Sequence, residues 1–333
     1  MDISNSIIEL NMSSLHLRIL AMGGKGFGES FLVLFHNNEK VIYSIVIDDF
    51  TTTIEGDKVN LSKKFIDYWG IKKIDCIIWT HPHDDHSIGL ADIIESYYGK
   101  NTIGIIPKYI YGNNNDIVSI SDNCKAVRKM FSKKFRTKGG KSNLITIDCA
   151  RNEARTLIKR TFKDYNTGTT KDFELLFLTP IGQVLDRYME DEKLLAKSNL
   201  NVLSISFVLN FDGYCFYFGG DTPGSIINLS CNEVIKKCKW TTIPHHGSKG
   251  SIELRTILKK NFDCAFCSTF VNKSLPKEEV LKAYMNIDTN RVDVTQKNIS
   301  DKHSYGIVEY DYDFNSIPKS KLIIKKYGNA YKF

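Results

Sequence analysis

The sequence predicts an α+β fold in which two β-sheets pack face to face and helices cover the outer faces. Short apolar runs typical of strands occur in both halves of the 333-residue chain, and segments with helical spacing lie between them. Histidine, aspartate and glycine residues directly follow several of these runs. With 42% hydrophobic residues, the chain can bury a large core.

The individual strands and helices follow from local patterns. Apolar runs flank the glycine turn Gly23-Gly24-Lys25-Gly26, and another run ends at Asp48. A hairpin is predicted over 202–218, with Asp212-Gly213 as its turn. Helices are predicted at 60–69, 88–98, 225–237 and 276–286. Further strands are predicted at 74–79, 173–178, 239–243, 262–270, 291–295 and 305–312.

We expect the whole chain, residues 1–333, to form one domain. The stretch 99–170 mixes short apolar runs with polar loops and a basic segment over 125–141, and we interpret it as an insertion or lid over the core. The basic segment is typical of a solvated helix face more than of a nucleic-acid patch. A short extra strand is expected at 320–327.

Composition limits the class of protein. The net charge of +7 is mild and is compatible with a phosphate-bearing substrate. No apolar run is long enough to predict a membrane span, and the N-terminal segment MDISNSIIELNMSS lacks a secretory pattern, so a cytoplasmic protein is expected. Most of the eight cysteines lie in apolar runs. Cys264 and Cys267 have the spacing of a metal-binding pair, but they lie in a predicted buried strand that points them to opposite faces.

Five of the eight histidines form two short groups after predicted strands, one within Thr80–His86 and one at His245-His246. Imidazole and carboxylate groups bind zinc and manganese well. His81 and His83 can converge on one ion, and Asp85 and His86 can reach a second. We expect Asp221 to bridge the two ions and His245 to complete the shell of the second. The predicted cofactor is therefore one or two zinc ions, with manganese as the alternative.

Two ions roughly 3.5–4 Å apart can activate a water molecule near neutral pH and stabilise charge on a substrate oxygen. Asp48 is expected to hold a histidine of the first group by a hydrogen bond, although Asp49 can take this role instead. His16, His36 and His303 are predicted to be structural.

Four stretches together resemble a known family: MGGKGFGESFLVL at 22–34, VIDDF at 46–50, IKKIDCIIWTHPHDDHSIGL at 71–90, and NVLSISFVLNFDGYCFYFGGDT at 201–222 followed by TIPHHGSKGS at 242–251. They are similar to the metallo-β-lactamase-fold hydrolases. Within these, the chain resembles the branch of the β-lactamase-like domain of the DNA-uptake protein ComEC.

The resemblance implies an αββα sandwich with metal ions at the edge between the sheets, and phosphodiester hydrolysis or nuclease activity. It implies a catalytic role for Asp85 and His246 and places Ser248 on the substrate side. The ligands that it implies are His81, His83, Asp85, His86, Asp221 and His245.

This chain departs from the family pattern at two places. It has no histidine between His86 and His245, where the superfamily supplies one to the first ion, so the ligand set of the second ion, Asp85, His86, Asp221 and His245, is a stronger prediction than the full two-ion site. It also has Lys25-Gly26-Phe27 where the family's opening turn carries an acidic residue.

The leading hypothesis is a metal-dependent phosphodiesterase or nuclease that acts on DNA, RNA or a nucleotide. One alternative is a carbon-centred hydrolase of the lactonase, thioesterase or β-lactamase type, which uses the same metal chemistry. Another is a non-catalytic module within a larger complex, for which the missing histidine is the best support. A protein partner is possible but cannot be read from the sequence, and no membrane partner is expected.

Overall fold

Strands and helices are distributed through both halves of the chain. The computed structural model describes residues 6–24, 27–38, 40–110, 120–135, 142–190, 200–258, 262–285, 291–296, 305–315 and 321–333. The strands are β1 (Ser6–Leu10), β2 (Leu15–Gly24), β3 (Phe27–Asn37), β4 (Lys40–Ile47), β5 (Thr51–Ile54), β6 (Asp57–Asn60), β7 (Cys76–Ile78), β8 (Ile103–Pro107), β9 (Leu144–Ile147), β10 (Arg155–Asp164), β11 (Thr170–Phe177), β12 (Phe207–Phe211), β13 (Tyr214–Phe218), β14 (Cys238–Thr242), β15 (Cys264–Cys267), β16 (Arg291–Val294), β17 (Tyr305–Asp313), β18 (Lys321–Gly328) and β19 (Tyr331–Lys332). The helices are α1 (Leu61–Tyr68), α2 (Leu90–Tyr97), α3 (Asp122–Phe135), α4 (Gly182–Glu190), α5 (Gly224–Ile227), α6 (Asn232–Ile235), α7 (Ile252–Ile257) and α8 (Glu278–Met285).

These strands build two large sheets and a small two-stranded one. The first large sheet has the order β18-β17-β2-β3-β4-β7-β8-β9. The second has the order β1-β10-β11-β12-β13-β14-β15-β16-β19, and β5 pairs with β6. Helix α1 begins where the side chain of Asn60 accepts a hydrogen bond from the backbone N–H of Lys63, which satisfies one of the free N–H groups at the helix start.

Three hydrophobic clusters define the layers. The cluster between the sheets contains residues of both, among them Phe35 of β3 and Phe173 of β11. A second cluster packs α1, α2 and α3 on the outer face of the first sheet. A third packs α7 and α8 on the outer face of the second sheet. The predicted αββα sandwich is therefore confirmed, since each sheet buries one face on the other and one face under helices.

The stretch 99–170, expected as an insertion or lid, differs from that expectation. It supplies β8 and β9 to the first sheet and β10 to the second. The apolar runs of β8 and β9 are only five and four residues long and are separated by polar segments, which is why the pattern reads as loops. The extra C-terminal strand is confirmed as β18, which pairs with β17.

Two smaller expectations can be compared with the structure. Cys264 lies in the cluster between the sheets and Cys267 in the outer cluster, so the two thiols point to opposite faces, as the alternation predicts. Among the described residues, no helix is long and apolar enough to cross a membrane.

The strand order brings the ends of five strands to one edge of the sandwich. β4 and β7 are parallel neighbours, and Asp48 and Thr80 follow their ends. β13, β14 and β15 are also parallel, and Asp221, His245 and Ser268 follow their ends. Loops at the ends of parallel neighbours meet in space, so residues distant in sequence are brought together there.

Candidate metal centre

The carboxylate of Asp48 orients the first histidine group through hydrogen bonds. Its carboxylate accepts a hydrogen bond from the backbone N–H of Thr80 (2.7 Å), another from the Thr80 hydroxyl and a third from Nδ1 of His86 (2.8 Å). Nδ1 of His81 lies 3.0 Å from the Thr80 hydroxyl oxygen. Because that hydroxyl donates to Asp48, it accepts from His81, and both imidazoles are thereby oriented with Nε2 pointing away from Asp48.

The carboxylate of Asp221 lies between the two histidine groups. Its Oδ2 is 3.7 Å from Nε2 of His81 and 4.0 Å from Nε2 of His245. Its Oδ1 is 3.5 Å from Nε2 of His86 and 3.7 Å from Nε2 of His246. Each carboxylate oxygen therefore faces a different pair of imidazoles.

The distances between the Asp221 oxygens and the four imidazole nitrogens are long for hydrogen bonds and suit a cation bound between these atoms. Oδ1 of Asp221 and Nε2 of His86 are buried and have no hydrogen-bond partner in the structure. Buried polar atoms are rarely left without one, and a zinc ion about 2 Å from each ligand atom would occupy such a gap. Nε2 of His81 also lies 3.1 Å from Nδ1 of His83, a contact that is short enough for a hydrogen bond and that would let one ion take both nitrogens as ligands.

At this centre, three sets of three side chains have ligand atoms within 4.8 Å of one another, and one of them, Asp48, His81 and His86, includes the orienting carboxylate. The other two sets consist of side chains selected from the sequence. The first set, His81, His83 and Asp221, contains three of the predicted ligands. The second set is Asp85, His86 and His246. Here the structure differs from the sequence expectation: His246, rather than His245, approaches Asp85, with Nε2 3.1 Å from Oδ2.

The backbone conformation explains why His246, and not His245, approaches Asp85. His245 and His246 both have positive φ angles, of 51° and 49°, in the turn Pro244–Gly247 after β14. This left-handed turn, uncommon for residues other than glycine, directs His246 inward, where it is 2% exposed. The His245 side chain stays 26% exposed.

His245 lies on the side of the first set, where the sequence lacks the family's histidine. Its Nε2 is 3.2 Å from Nδ2 of Asn201, and Oδ1 of Asn201 is buried without a hydrogen-bond partner. Sequence reasoning missed Asn201, because one asparagine within the apolar stretch Leu200–Leu203 carries no signal of its own.

Two buried residues that the sequence analysis did not select also reach the centre. The Ser268 hydroxyl lies 2.7 Å from Nδ1 of His246 and donates to Oε2 of Glu29 at 2.5 Å. Glu29 lies two residues beyond Phe27, directly after the predicted glycine turn.

Charges of opposite sign are balanced within the centre. Burial alone would raise the pKa of Asp221, yet the positive charges of His246 and His86 lower it well below its usual range. Burial would lower the pKa of His86, but Asp85, Asp221 and Asp48 raise it. Burial lowers the pKa of His81, which favours the neutral imidazole that binds metal.

The open side of the centre carries a positive charge. Burial lowers the pKa values of His83 and His245, and the charge of Lys273 lowers both further. Lys273 is exposed, and its Nζ lies 5.8 Å from the Phe270 ring, which in turn packs on His246 with ring centroids 5.1 Å apart. Ser248, expected on the substrate side, is half-buried, and its hydroxyl lies 3.5 Å from that of Ser251.

A separate cluster on the first sheet contains His16, His36 and Asp311. Arg18 forms a 2.5 Å ion pair with Asp311, so this carboxylate already has a cationic partner. Nδ1 of His36 lies 2.7 Å from the backbone oxygen of Asn38. These contacts fit the structural role predicted for His16 and His36, whereas His303 lies outside the described residues.

An αββα sandwich with histidines and aspartates gathered at the strand ends defines the metallo-β-lactamase fold. Residues 21–115 match the family model described as the metallo-beta-lactamase superfamily, and this segment includes Asp48 and the run from His81 to His86. A solved structure described as a new diphosphatase from the PhnP family is similar to this chain, with 14% sequence identity and a TM-score of 0.40 over 84% of this chain and 94% of that one. No curated protein matches the chain in sequence.

Proposed function

We propose that this protein is a metal-dependent hydrolase of phosphodiesters, with DNA, RNA or a nucleotide as substrate. One ion would be held by His81, His83 and Oδ2 of Asp221. The other would be held by Asp85, His86, His246 and Oδ1 of Asp221. Zinc suits this mixture of imidazole and carboxylate ligands, and manganese is the alternative.

The main support for this proposal is that the two oxygens of the Asp221 carboxylate face two different pairs of imidazoles. A structural aspartate would form hydrogen bonds with both oxygens, but Oδ1 has no such partner. All four imidazole nitrogens that face Asp221 are 3.5–4.0 Å away, and two oxygens of one carboxylate can bridge two ions. On this view, His245 lies close enough to Asp221 to assist the first ion in place of the absent family histidine.

Bound divalent ions supply Lewis acidity and lower the pKa of water. The chain's own residues position the site. Asp48 and Thr80 fix His81 and His86 with Nε2 facing Asp221. Asp85 stays ionised because the charges of His86 and His246 outweigh the effect of burial and lower its pKa. It is therefore proposed to bind a cation and to accept a hydrogen bond from the attacking water.

The exposed side of the centre favours a phosphate substrate. The charge of Lys273 acts on His83 and His245, and we propose that this exposed side chain holds a phosphate oxygen of the substrate. We propose that Ser248, which is half-buried beside the same turn, donates a hydrogen bond to the substrate. The mild excess of positive charge in the whole chain favours a polyanion weakly.

The test is hydrolysis by metal-depleted protein before and after addition of zinc or manganese. Bis-p-nitrophenyl phosphate, DNA, RNA and cyclic dinucleotides serve as phosphodiesters, and p-nitrophenyl acetate and a lactone serve as carbon-centred substrates. We expect metal-dependent cleavage of at least one phosphodiester, and its loss in His83→Ala and Asp85→Ala. His16→Ala is the matched control, because it removes a histidine from the separate cluster, and it should keep full activity.

Other outcomes separate the alternatives. Cleavage of the carbon-centred substrates alone would indicate a lactonase or esterase. Binding of metal without cleavage of any substrate would indicate a non-catalytic module. Retained phosphodiesterase activity in His83→Ala or Asp85→Ala would refute the assignment of the site.

A further inference from the structure

We propose that Glu29 is a positioning residue for the metal centre and that it acts through Ser268 on His246. This inference rests on the proposed function, because it takes His246 as a metal ligand. It adds to the site a carboxylate that lies outside the proposed ligand sets and that determines which nitrogen of His246 would be free to bind a cation.

The three residues come from distant parts of the chain and meet through strand packing. Glu29 lies in β3 opposite Gly23 of β2. Ser268 follows β15 and His246 follows β14, and these two strands are parallel neighbours. The side chains are almost fully buried, with exposures of 3% for Glu29, 0% for Ser268 and 2% for His246.

The direction of the hydrogen bonds follows from chemistry. An ionised carboxylate can only accept, so the Ser268 hydroxyl donates to Oε2 of Glu29 across 2.5 Å. The hydroxyl has one hydrogen, and its oxygen must therefore accept at the 2.7 Å contact with Nδ1 of His246. Nδ1 then carries the proton, and the unprotonated Nε2 of the neutral ring is directed to Asp85 and Asp221 as the ligand atom.

The same arrangement occurs on the other side of the centre. There the Thr80 hydroxyl donates to Asp48 and accepts from Nδ1 of His81. A hydroxyl between a buried carboxylate and a histidine thus orients one imidazole in each of the two ligand sets. The repetition in a second loop, with different residues, indicates that the Glu29 arrangement serves the metal centre. Such outer partners fix the ring orientation of metal-binding histidines and increase their basicity.

In the described part of the chain, the hydrogen bond from Ser268 is the polar contact of the buried Glu29 carboxylate. Among the residues that the structure describes, no lysine or arginine forms an ion pair with Glu29. Burial raises its pKa, and the opposing charges come from His246 and His86 within the centre. The charges that act on Glu29 therefore belong to the metal centre, in agreement with the contact through Ser268 to His246.

The test measures zinc affinity in chelator-stripped protein, by competition with a chromophoric chelator that resolves the two binding steps. Glu29→Gln keeps the shape and removes the charge, and Ser268→Ala removes the connecting hydroxyl. We expect each variant to weaken one binding step about 10–100-fold and to leave the other unchanged. The double variant should lose no more zinc affinity than Ser268→Ala alone, because Glu29 acts through Ser268.

Two controls separate positioning from general stability. Glu309→Gln alters a similarly buried glutamate of β17 that pairs with Arg18 and is not part of the metal centre, and it should leave both zinc affinities unchanged. Ser268→Thr keeps the hydroxyl and should restore near-normal affinity. The absorption spectrum of the cobalt-substituted protein should change in Glu29→Gln and stay as in the wild type in Glu309→Gln.

Several results would overturn the inference. These are wild-type zinc affinity in Glu29→Gln, equal weakening of both steps, or additive losses in the double variant. Failure of the proposed function gives a different result: the wild type would bind zinc and respond to Glu29→Gln, but it would cleave no substrate. A wild type that binds no zinc would refute both.

Discussion

Oδ2 of Asp48 lies 2.8 Å from Nδ1 of His86, and the same carboxylate accepts two hydrogen bonds from Thr80. Asp48 follows β4 and has a positive φ of 53°, so the chain turns sharply there and directs this side chain under the histidine loop. Through one contact to His86 and one relayed contact to His81, Asp48 supports both ligand sets.

We predict that Asp48→Asn weakens zinc binding at both steps by about 10–100-fold. An amide has one acceptor oxygen where the carboxylate has two. In either orientation of the amide, its NH₂ group opposes the Thr80 N–H or disturbs Nδ1 of His86. Chelator competition measures the two affinities. An effect confined to one step would show that Asp48 does not support both sets.

The two adjacent histidines should behave differently when each is replaced by alanine. His246→Ala removes a buried side chain that contacts Asp85, and we expect it to abolish one zinc-binding step and reduce kcat at least about 1000-fold. His245→Ala removes a partly exposed side chain next to Asn201, and we expect about 10-fold weaker binding at the other step.

His245→Asn is the control for backbone strain, because asparagine tolerates the left-handed conformation observed at this position. It should fold as the wild type does and still show the weaker binding step. If His245→Ala were the more damaging variant, the assignment of His246, rather than His245, to the ligand set with Asp85 would be wrong.

The sequence predicts the centre well where the information is local. The run from His81 to His86 follows an apolar strand directly, and Asp221 follows a hairpin that its Asp-Gly turn identifies. These patterns fix the strand ends, and functional groups commonly lie at strand ends. The fold class follows from the same alternation of strands and helices.

The rest of the centre depends on information that is not local. Whether His245 or His246 points inward is determined by the sign of φ in the turn, which the residue types do not specify. The contact of Glu29 with Ser268 joins residues 239 positions apart and requires knowledge of how β3 and β15 pack. A single buried serine or asparagine has no periodic pattern, so these residues could be found only in the structure.

Lys273 should affect anionic substrates selectively. Lys273→Met removes the charge that acts on His83 and His245 and keeps most of the side-chain volume, so KM for a phosphodiester should increase about 5–20-fold with little change in kcat. The KM for a neutral ester, if one is cleaved, should not change. Lys282→Met, at an exposed lysine of α8, is the control. Equal effects on both substrate types would argue against a phosphate-binding role.

Metal binding should stabilise the fold, because the centre joins loops from both sheets. Without metal, the surrounding carboxylates raise the pKa values of His86 and His246 and so favour protonation of both imidazoles. A bound cation would take the place of these protons. At zinc concentrations about 100 times Kd, linkage predicts roughly 2.7 kcal/mol of stabilisation per site. Thermal denaturation with and without EDTA measures this difference. An unchanged Tm in the wild type would contradict metal binding, and His86→Ala should reduce the response.

A pH dependence of stability is expected from Asp49, which lies next to Asp48 outside the ligand sets. Burial raises the pKa of Asp49 from 3.8 to about 7, although hydrogen bonds from Ser62 and Asn60 oppose this effect. The folded state therefore holds a proton that the unfolded state releases. The free energy of unfolding should decrease as the pH rises from about 4 to about 7 and become constant above that range, with a total change of roughly 4 kcal/mol at most.

Asp49→Asn should remove this part of the pH dependence. The amide can donate to the Ser62 hydroxyl, which has Ser30 as a second partner at 3.1 Å, while its oxygen accepts from Asn60. The variant should be more stable than the wild type at pH 8 and similar to it near pH 4, as measured by denaturant unfolding in EDTA. Asp57→Asn, at an exposed carboxylate in β6, should follow the wild-type curve. If Asp49→Asn also follows that curve, Asp49 is ionised in the folded state at neutral pH, and the stability in this range depends on other groups.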